Sequence, residues 1–281
     1  MQEGRFSWTA LRVAAHRAAH QILEDGAVFK DPFAHAILGP DGDTILAERS
    51  GPHAAPLRLF VAARARFAED SLAKAIARGV RQAVVVGAGL DTLALRSPHP
   101  ELQIFEVDHP DTQAFKRRCL ERAGLTIPSG LTFAPVDFER ESLGEGLAKA
   151  GLDRARPVFF IWLGVVPYLT RVAVLSSLDV MAGLPASEVV FDYSEPLENY
   201  PPETRPRVEQ MAARAAQAGE PWLSYFNPRE ISELLMLRGF GEIEDLGPSD
   251  IAARYFGRTG EPNRAGAHVL RARRLSDGRA A

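Results

Sequence analysis

The residues whose types and spacing could do chemistry begin with a glycine-rich turn. Gly87-Ala88-Gly89 follows the apolar run Val84-Val85-Val86 and precedes Leu90-Asp91-Thr92. A strand that enters a tight Gly-x-Gly turn and continues into a helix lets a nucleotide lie over the strand end, because a Cβ there would block the ligand. Gly-x-Gly also fits a plain strand-to-helix turn, so its interpretation depends on the neighbouring residues.

The negative charge of Asp91 distinguishes between two classes of nucleotide ligand that this turn could bind. The third glycine of a dinucleotide fingerprint is absent, since Leu93 or Ala94 stands near its position. A pyrophosphate binds bare N–H groups at a helix N-terminus, and a carboxylate there repels phosphate and favours a cation. S-adenosylmethionine has no phosphate and carries an ammonium and a sulfonium. The local charge therefore favours S-adenosylmethionine over NAD, while Asp91 is equally compatible with an N-cap role.

Acidic residues also end the next two apolar runs. Glu106 and Asp108 lie about 20 residues past the glycines and point to the same side of a strand, so either could hold a ribose diol. Asp137 follows the third run, and it could accept the adenine amino proton while Phe138 covers the ring. Any one of these acids also fits a solvated loop position. The first predicted strand ends in the Gly-x-Gly turn, and the next two each end in an acidic residue. This combination at three successive strand ends favours a nucleotide site.

The elements that must position these residues alternate along the chain. Strands are predicted at 83–86, 102–107, 131–136, 158–162 and 188–193, with a helix at about 111–123. Short strands separated by helical segments indicate parallel βαβ units. Two further strands, 240–246 and 267–273, follow a helix at 228–238 and are joined by a long loop, which predicts an antiparallel addition at one edge of the sheet.

The N-terminal third reads as helical. A helix is predicted from Thr9 to Leu23 with an apolar stripe that includes Ile22, and Asp31-Pro32 is expected to open a second short helix. A Gly/Pro-rich loop is predicted at 39–56, followed by a helix at 57–78 that Gly79 ends.

Together these patterns predict an α/β fold: a Rossmann-like sheet of seven mostly parallel strands with helices on both faces and an N-terminal helical lid. We expect one domain over 1–281, with the lid region at 1–80, the core at 81–281 and a substrate-pocket insertion around 195–226. The loop 39–56 and the segment 195–226 are expected to shape the acceptor pocket.

Composition limits the classes of partner. The 281 residues carry a formal net charge of −3, which argues against nucleic acid as a partner. The first five residues lead into no apolar signal core, and the most apolar stretch, 158–169, is too short to span a bilayer. Cys119 is the single cysteine and cannot form an internal disulfide. We therefore expect a cytoplasmic protein with a small-molecule partner and no membrane partner; the oligomeric state is not indicated.

The chain resembles the leucine carboxyl methyltransferase family, in particular its bacterial small-molecule branch, which includes polyketide O-methyltransferases. The segments that carry the resemblance are Thr9-Ala10-Leu11, Ala15-His16-Arg17-Ala18, Phe29 to Ala34, Arg64 to Asp70, Gly87 to Thr92, Phe105 to Pro110, Val136-Asp137-Phe138, Gly164 to Thr170, Phe191-Asp192-Tyr193 and Ala253-Arg254-Tyr255. They occur in order and cover nearly the whole chain.

The resemblance implies a Rossmann-like class I methyltransferase fold, S-adenosylmethionine as cofactor and a role for each matching residue. Arg64 would pair with the methionine carboxylate, a role suited to a forked donor, although the sequence alone reads it as a surface helix residue. Gly87 would let the methionine portion approach the backbone. Asp108 would hold the ribose, which favours it over the other acid of that strand. Asp137 and Phe138 would flank the adenine.

One position departs from the family pattern. The family usually has Glu before Gly-Val near the methionine end of the cofactor, where this chain has Leu163. Loss of that carboxylate leaves two interpretations open: backbone carbonyls and Asp91 suffice for the cation, or cofactor affinity is weakened.

The catalytic residues are not assigned from the sequence. A carboxylate acceptor needs no general base, whereas a hydroxyl would benefit from one, most often His. His16 and His20 lie four apart on one helix face and are candidates near a substrate mouth; the alternative is a partly exposed face that Arg17 helps to solvate. They also have metal-ligand spacing, but no further ligands complete a site, so no metal is predicted.

The sequence therefore predicts a methyltransferase that acts on a carboxylate or hydroxyl of a small molecule. A catalytically impaired S-adenosylmethionine-binding protein is the alternative that Leu163 motivates. A protein carboxyl methyltransferase and an NAD-dependent oxidoreductase are less favoured, the first for lack of a recognisable partner surface and the second because of Asp91.

Overall fold

The computed structural model of the chain describes residues 8–39, 42–138, 140–217, 219–259 and 264–275. The expectation drawn from residues 1–5 lies outside these ranges. The strands are β1 Gln82–Val86, β2 Gln103–Asp108, β3 Leu131–Pro135, β4 Val158–Trp162, β5 Glu188–Ser194, β6 Phe240–Leu246 and β7 Ala267–Arg274. The α-helices are α1 Trp8–Leu23, α2 Gly42–Arg49, α3 Ala55–Ala77, α4 Leu93–Arg96, α5 Pro110–Arg122, α6 Leu143–Lys149, α7 Arg171–Ala182, α8 Arg205–Gln217, α9 Pro228–Leu237 and α10 Pro248–Phe256.

The seven strands form one sheet in the order β3-β2-β1-β4-β5-β7-β6. β1 with β2, β2 with β3, and β4 with β5 pair in parallel, whereas β7 pairs antiparallel with β5 and with β6. The predicted α/β class with a mostly parallel seven-stranded sheet is therefore confirmed, and so is the antiparallel addition at one edge.

Two compact units divide the chain. The first contains Met1–Asp70 and Val80–Asp153, and the second contains Ser71–Gly79 and Arg154–Ala281. Strands β1 to β3 belong to the first unit and β4 to β7 to the second. One domain with a helical lid at 1–80 stays a prediction.

The first unit is built on three parallel strands with apolar, β-branched sequences. All five residues of β1 and four of the six in β2 are buried, as expected for strands covered on both faces. The N-terminal helices add a second apolar cluster; among its members are Leu11, Ala14, Ala15, Ala18, Ala19, Ile37, Leu38, Leu90, Cys119 and Leu120. The alanines on α1 let that helix approach its neighbours closely.

Aromatic side chains form the centre of the second unit. Trp162 packs on Phe191 with ring centroids 6.1 Å apart, and Phe191 lies 6.2 Å from Tyr193. Tyr193 in turn meets Phe226 edge to face at 6.5 Å. These large rings are fully or almost fully buried, and contacts of this type add to the stabilisation from burial alone.

Two predictions for the N-terminal third are corrected. Helix α1 forms as expected, but Ile22 is 62% exposed and does not belong to the buried stripe. Asp31-Pro32 does not open an α-helix: the Asp31 carboxylate accepts the N–H of Phe33 at 3.2 Å, which closes a turn before the 3-10 helix Ala36–Leu38. An Asp side chain can bond to the backbone two residues on, and this competes with helix formation.

Three segments expected to be irregular contain helices. The predicted loop 39–56 holds α2 and the 3-10 helix Pro52–Ala54, and the segment 195–226 holds α8. The connection between β6 and β7 is not a plain long loop, because α10 forms within it. Pro248 stands in its first turn, Asp250 accepts the N–H of Gly247 at 3.1 Å, and Gly257 ends it in the left-handed conformation. These start and stop signals were present in the sequence.

Two kinds of feature are absent from the described ranges. No helix there combines the length and the apolar character that a membrane span requires. Nor does this part of the chain hold three or more His, Cys, Asp or Glu side chains grouped to bind a metal ion.

A buried histidine joins the antiparallel strands of the second unit. His268 on β7 stacks on Tyr193 with centroids 4.9 Å apart, and its Nδ1 lies 3.0 Å from an Asp245 oxygen. Its Nε2 lies 3.0 Å from Glu195, and the Tyr193 hydroxyl donates to Asp245 at 2.6 Å. Burial disfavours the charged ring, but the hydrogen bonds and charges of Asp245 and Glu195 outweigh it and raise the pKa of His268.

This arrangement predicts a pH-dependent contribution to stability. A raised folded-state pKa means that the contribution is complete below the unfolded pKa of about 6.5 and is lost as pH rises through the folded value. His268→Gln is expected to lower the free energy of unfolding by about 2 kcal/mol at about pH 6, with a smaller difference at higher pH. Urea unfolding of both proteins across this pH range measures it. The matched control is His53→Gln at an exposed position; a His268 effect that does not vary with pH would contradict the assignment.

Candidate cofactor site

The glycine turn after β1 has the backbone conformation that its sequence requires. Gly87 has φ +66° and Gly89 has φ +49°, both in the left-handed region that other residues rarely adopt. The N–H groups of Gly87 and Ala88 donate to the carbonyl of Val107 at 2.8 and 3.1 Å, which ties the turn to β2. A Cβ on Gly89 would lie 2.8 Å from the Cβ of Ala10, so glycine is also needed for the close approach of α1.

Asp108 fixes the same turn through its side chain. One carboxylate oxygen accepts the N–H of Gly89 at 2.6 Å, and the other accepts the N–H of His109 at 2.7 Å. Burial raises the pKa of Asp108, and these two backbone hydrogen bonds oppose that rise. Each carboxylate oxygen can accept a second hydrogen bond, so the group can still receive both hydroxyls of a ribose.

Glu106, the other acid of β2, has a different partner. Its Oε2 accepts a hydrogen bond from Lys116 at 2.5 Å, and both side chains are buried. Its Oε1 has no hydrogen-bond partner among the described residues. Burial raises the pKa of Glu106, with the Lys116 charge acting against it. Because Glu106 is committed to an internal ion pair, the geometry favours Asp108 as the ribose ligand, as the family resemblance implies.

Asp91 lies just before Thr92, the N-cap residue of the helix that follows the turn. Its Oδ1 accepts the N–H of Leu93 at 2.6 Å, and its own N–H donates to the carbonyl of Ala88 at 2.8 Å. The N-cap interpretation of Asp91 is therefore wrong by one position, because Thr92 is the N-cap residue and makes no side-chain cap hydrogen bond. The Asp91 carboxylate still occupies an N–H group of the first turn, which a pyrophosphate would need free. The start of α4 therefore does not suit a dinucleotide.

The chain that leaves β3 brings the third pair of predicted residues to the same edge. The carbonyl of Asp108 accepts the N–H of Val136 at 2.9 Å, so residues 137 and 138 follow directly beside it. The carboxylate of Asp137 lies 3.4 Å from the guanidinium of Arg140. Phe138 is 44% exposed, an unusual state for a phenylalanine that leaves ring surface available for a flat ligand.

Arg64 is not the surface residue that its sequence position suggested. It lies on α3 and is only 6% exposed, with its guanidinium 5.7 Å from the ring centroid of Phe60. The helix is buried along this stretch, as shown by Ala63 and Phe67, which are fully buried. A guanidinium is seldom buried unless it is paired with polar or charged groups, because burying an unpaired charge is costly.

A buried polar network that the sequence did not reveal holds the turn from the other side. Asp31 accepts the Nε of Arg17 at 3.1 Å and the hydroxyl of Thr92 at 2.7 Å. Arg17 also donates to the carbonyl of Leu90 at 2.5 Å. The last residues of the glycine turn are therefore bonded to α1 and to the turn after it.

The same network continues to α3. Arg96 donates to the Thr92 hydroxyl at 3.0 Å and makes two hydrogen bonds to Glu69, at 2.9 and 2.6 Å. Such bidentate pairs fix geometry as well as charge. The family motif residues Arg17, Asp31 and Glu69 thus have a structural role that their spacing alone could not show.

The two histidines of α1 differ in environment, and neither lies on a solvated face. His20 and Arg17 are buried, which makes the expectation of a partly exposed face wrong. His20 Nδ1 lies 3.0 Å from Glu24, and its Nε2 lies 3.4 Å from the N–H groups of both Val28 and Phe29, so both ring nitrogens are engaged. Burial and neighbouring arginines lower the pKa of His16 to about 4, which makes it a weak base.

In the second unit, the exit of β4 is held by Asp192. Its carboxylate accepts the N–H of Gly164 at 2.5 Å, next to Leu163, and Gly164 has φ +73°. Tyr193 is buried, and its hydroxyl donates a hydrogen bond to Asp245. Tyr168 lies in the 3-10 helix Val166–Tyr168 and is partly exposed.

Known proteins are similar to this chain over much of its length. A Bacillus subtilis protein, YktD, is 40% identical over 199 residues, which cover 69% of this chain and 65% of the relative. A Mycolicibacterium gilvum protein is 30% identical over 254 residues, covering 84% and 81%. The names of both assign them to the S-adenosylmethionine-dependent methyltransferases. The chain thus spans slightly less than two thirds of the first relative's length.

A solved structure supports the fold, and a family model identifies the family. A DUF574 family protein from Streptomyces avermitilis superposes with a TM-score of 0.54 at 17% identity, covering 93% of this chain and 97% of the other, which shows the fold alone. The model for leucine carboxyl methyltransferases matches residues 10–182. The family, the enzyme class and the cofactor class predicted from the sequence agree with this match. The chain belongs to the leucine carboxyl methyltransferase family.

Proposed function

We propose that the protein transfers a methyl group from S-adenosylmethionine to an oxygen atom, a carboxylate or a hydroxyl, of a small molecule. The observation that carries the proposal is the Asp108 carboxylate at the end of β2, bonded to the N–H of Gly89 within the Gly-x-Gly turn. Family membership supports methyl transfer. The oxygen acceptor and the small-molecule class rest on the resemblance to the bacterial branch of the family.

The charges at the strand ends fit this cofactor better than a dinucleotide. S-adenosylmethionine presents two cations and one carboxylate, and the site offers the carboxylates of Asp91 and Asp108 with the guanidinium of Arg64 in the same unit. Burial raises the pKa of Glu106 most, Lys116 opposes that rise, and the charges of Asp91 and Asp108 add to it. A pyrophosphate would be repelled by this group of acids.

Each residue contributes a binding or orienting role. Arg64 would hold the methionine carboxylate, and Gly87 leaves room for the methionine portion beside the backbone. Asp108 would accept the ribose hydroxyls, while Asp137 and Phe138 would contact the adenine. When bound, the cofactor supplies an electrophilic methyl group. The protein then needs to align the acceptor oxygen with that methyl group and exclude water, which positioning alone can accelerate strongly.

An S-adenosylmethionine-binding protein without catalysis is the second candidate, and Leu163 is the observation that favours it. The family usually has a glutamate at that position, and this chain has a leucine. This candidate predicts cofactor binding with no methyl transfer to any acceptor.

The role of Arg64 is tested with two ligands that differ in one group. Arg64→Met is expected to weaken S-adenosylhomocysteine binding by about tenfold or more, because a charge-assisted pair to the carboxylate is lost. Binding of 5′-methylthioadenosine, which lacks the amino acid portion, should not change. Calorimetric titration measures both. Arg66→Met, at an exposed position on the same helix, is the control; equal losses for the two ligands would contradict the assigned role.

The chemistry is tested by following a labelled methyl group. Incubation with methyl-labelled S-adenosylmethionine and a panel of small carboxylic acids, alcohols, phenols and amines is expected to label oxygen. Mild base then separates the products, because a methyl ester releases methanol and a methyl ether does not. Label on nitrogen or carbon would contradict the proposal. Tight S-adenosylhomocysteine binding with no labelled product would favour the second candidate.

A further inference from the structure

An extended segment, 221–226, is held at the carboxyl ends of the parallel strands β4 and β5 in the second unit. The hydroxyl of Ser224 donates to the carbonyl of Val166 at 2.8 Å, in the 3-10 helix that follows β4. The N–H of Phe226 donates to the carbonyl of Ser194, the last residue of β5, at 3.1 Å. Ligands of open α/β sheets bind outside this edge of the strands, so the segment lies where an acceptor is expected.

Side-chain hydrogen bonds close the base of the chain 195–226 that contains this segment. The amide N–H groups of Asn199 donate to Glu195 and to the side-chain oxygen of Asn227, each at 2.7 Å. Glu195 in turn lies 3.0 Å from Nε2 of the buried His268. The start of 195–226 and the residue that follows it are therefore tied to each other and to β7, which fixes the segment at both ends.

The fixed segment presents aromatic and apolar side chains that are not fully covered. Ser224 and Phe226 are buried, whereas Leu223 between them and the start of the segment is 50% exposed. Trp222 and Tyr225 are partly exposed, and their rings meet edge to face with centroids 6.5 Å apart. Aromatic rings prefer such edge-to-face or offset contacts with one another, so a third ring can join this pair in the same geometry.

The polar atoms of the two rings suit a ligand that also carries oxygen. The indole N–H of Trp222 is buried and has no hydrogen-bond acceptor among the described residues. A buried indole N–H usually has an acceptor, because an unsatisfied donor is costly, and a ligand oxygen would remove that cost. Burial raises the pKa of Tyr225, so its hydroxyl stays protonated at neutral pH and is a hydrogen-bond donor.

We propose that Trp222 and Tyr225 form a subsite for an aromatic ring of the methyl acceptor, with Leu223 at its edge. The inference rests on the proposed function and narrows it, because the acceptor oxygen is then carried by a molecule with a flat ring. It also assigns a task to the segment 195–226: its closed base holds two aromatic side chains at the strand ends, and these side chains select the acceptor.

The test uses two alcohols with the same carbon skeleton, the aromatic 2-naphthol and the saturated decahydro-2-naphthol. The protein is first saturated with S-adenosylhomocysteine, and the indole N–H signals of its three tryptophans are followed in proton–nitrogen NMR spectra, with Trp222→Phe assigning the Trp222 signal. 2-Naphthol is expected to shift the Trp222 signal saturably and to leave that of the fully buried Trp162 unchanged. The saturated alcohol should bind about fivefold more weakly or worse, because contacts between rings add to burial.

Matched variants separate the rings from the fold. Calorimetric titration should show that Trp222→Leu and Tyr225→Leu each weaken 2-naphthol binding by about fivefold or more. Trp222→Phe and Tyr225→Phe should retain most of the affinity, because a ring remains. Leu237→Ala, at an 83% exposed position on α9, is the control and should change nothing. All these variants should bind S-adenosylhomocysteine within about twofold of the wild type, which shows that they are folded.

Each failure has a distinct meaning. Absence of a saturable Trp222 shift, or equal affinity for the two alcohols, would overturn the aromatic subsite while leaving the cofactor assignment intact. A Trp222 signal that changes with protein concentration alone would assign this surface to a second copy of the chain instead. Failure of the wild type to bind S-adenosylhomocysteine would contradict the proposed function itself.

Discussion

The carboxylate of Asp108 is the constraint on which the site depends. The two carboxylate oxygens accept hydrogen bonds from the N–H groups of Gly89 and His109, and the backbone carbonyl of Asp108 accepts one from the N–H of Val136. One residue thus fixes the turn after β1, the end of β2 and the chain leaving β3 relative to one another. Burial of the group is costly, and its backbone hydrogen bonds offset that cost. A carboxylate kept ready to accept further hydrogen bonds is what a ribose requires.

A buried polar network supports the same turn from the N-terminal helices. Asp31 connects Arg17 with Thr92, and Arg96 extends the connection to Glu69. Buried charges are tolerated here because each is paired and hydrogen-bonded. The consequence is that α1, α3 and the cofactor turn form one connected arrangement within the first unit.

Hydrophobic periodicity and turn-forming residues made the positions of the strands predictable from the sequence. The strands β4, β6 and β7 fall within a residue of their expected bounds, because apolar alternation and flanking Gly or Pro are local signals. Helix α2 was missed because its sequence is rich in turn-forming residues at its start and only two of its apolar side chains are buried in the core. The burial of Arg17 could not be predicted, since it depends on Asp31 and Leu90, which lie 14 and 73 residues away in the sequence. The ion pair between Glu106 and Lys116, which favours Asp108 as the proposed ribose ligand, was also not predicted.

The central claim is that Asp108 holds the ribose of an adenosyl cofactor at the end of β2. The most direct measurement is calorimetric titration of the wild type, Asp108→Ala and Glu101→Ala with S-adenosylmethionine, S-adenosylhomocysteine and NAD. Glu101 is an exposed acid before the opposite end of the same strand and serves as the control. The account predicts that the wild type binds both adenosyl compounds and not NAD, that Asp108→Ala weakens them about tenfold or more, and that Glu101→Ala has no effect. Binding of NAD, or unchanged affinity in a folded Asp108→Ala variant, would contradict it.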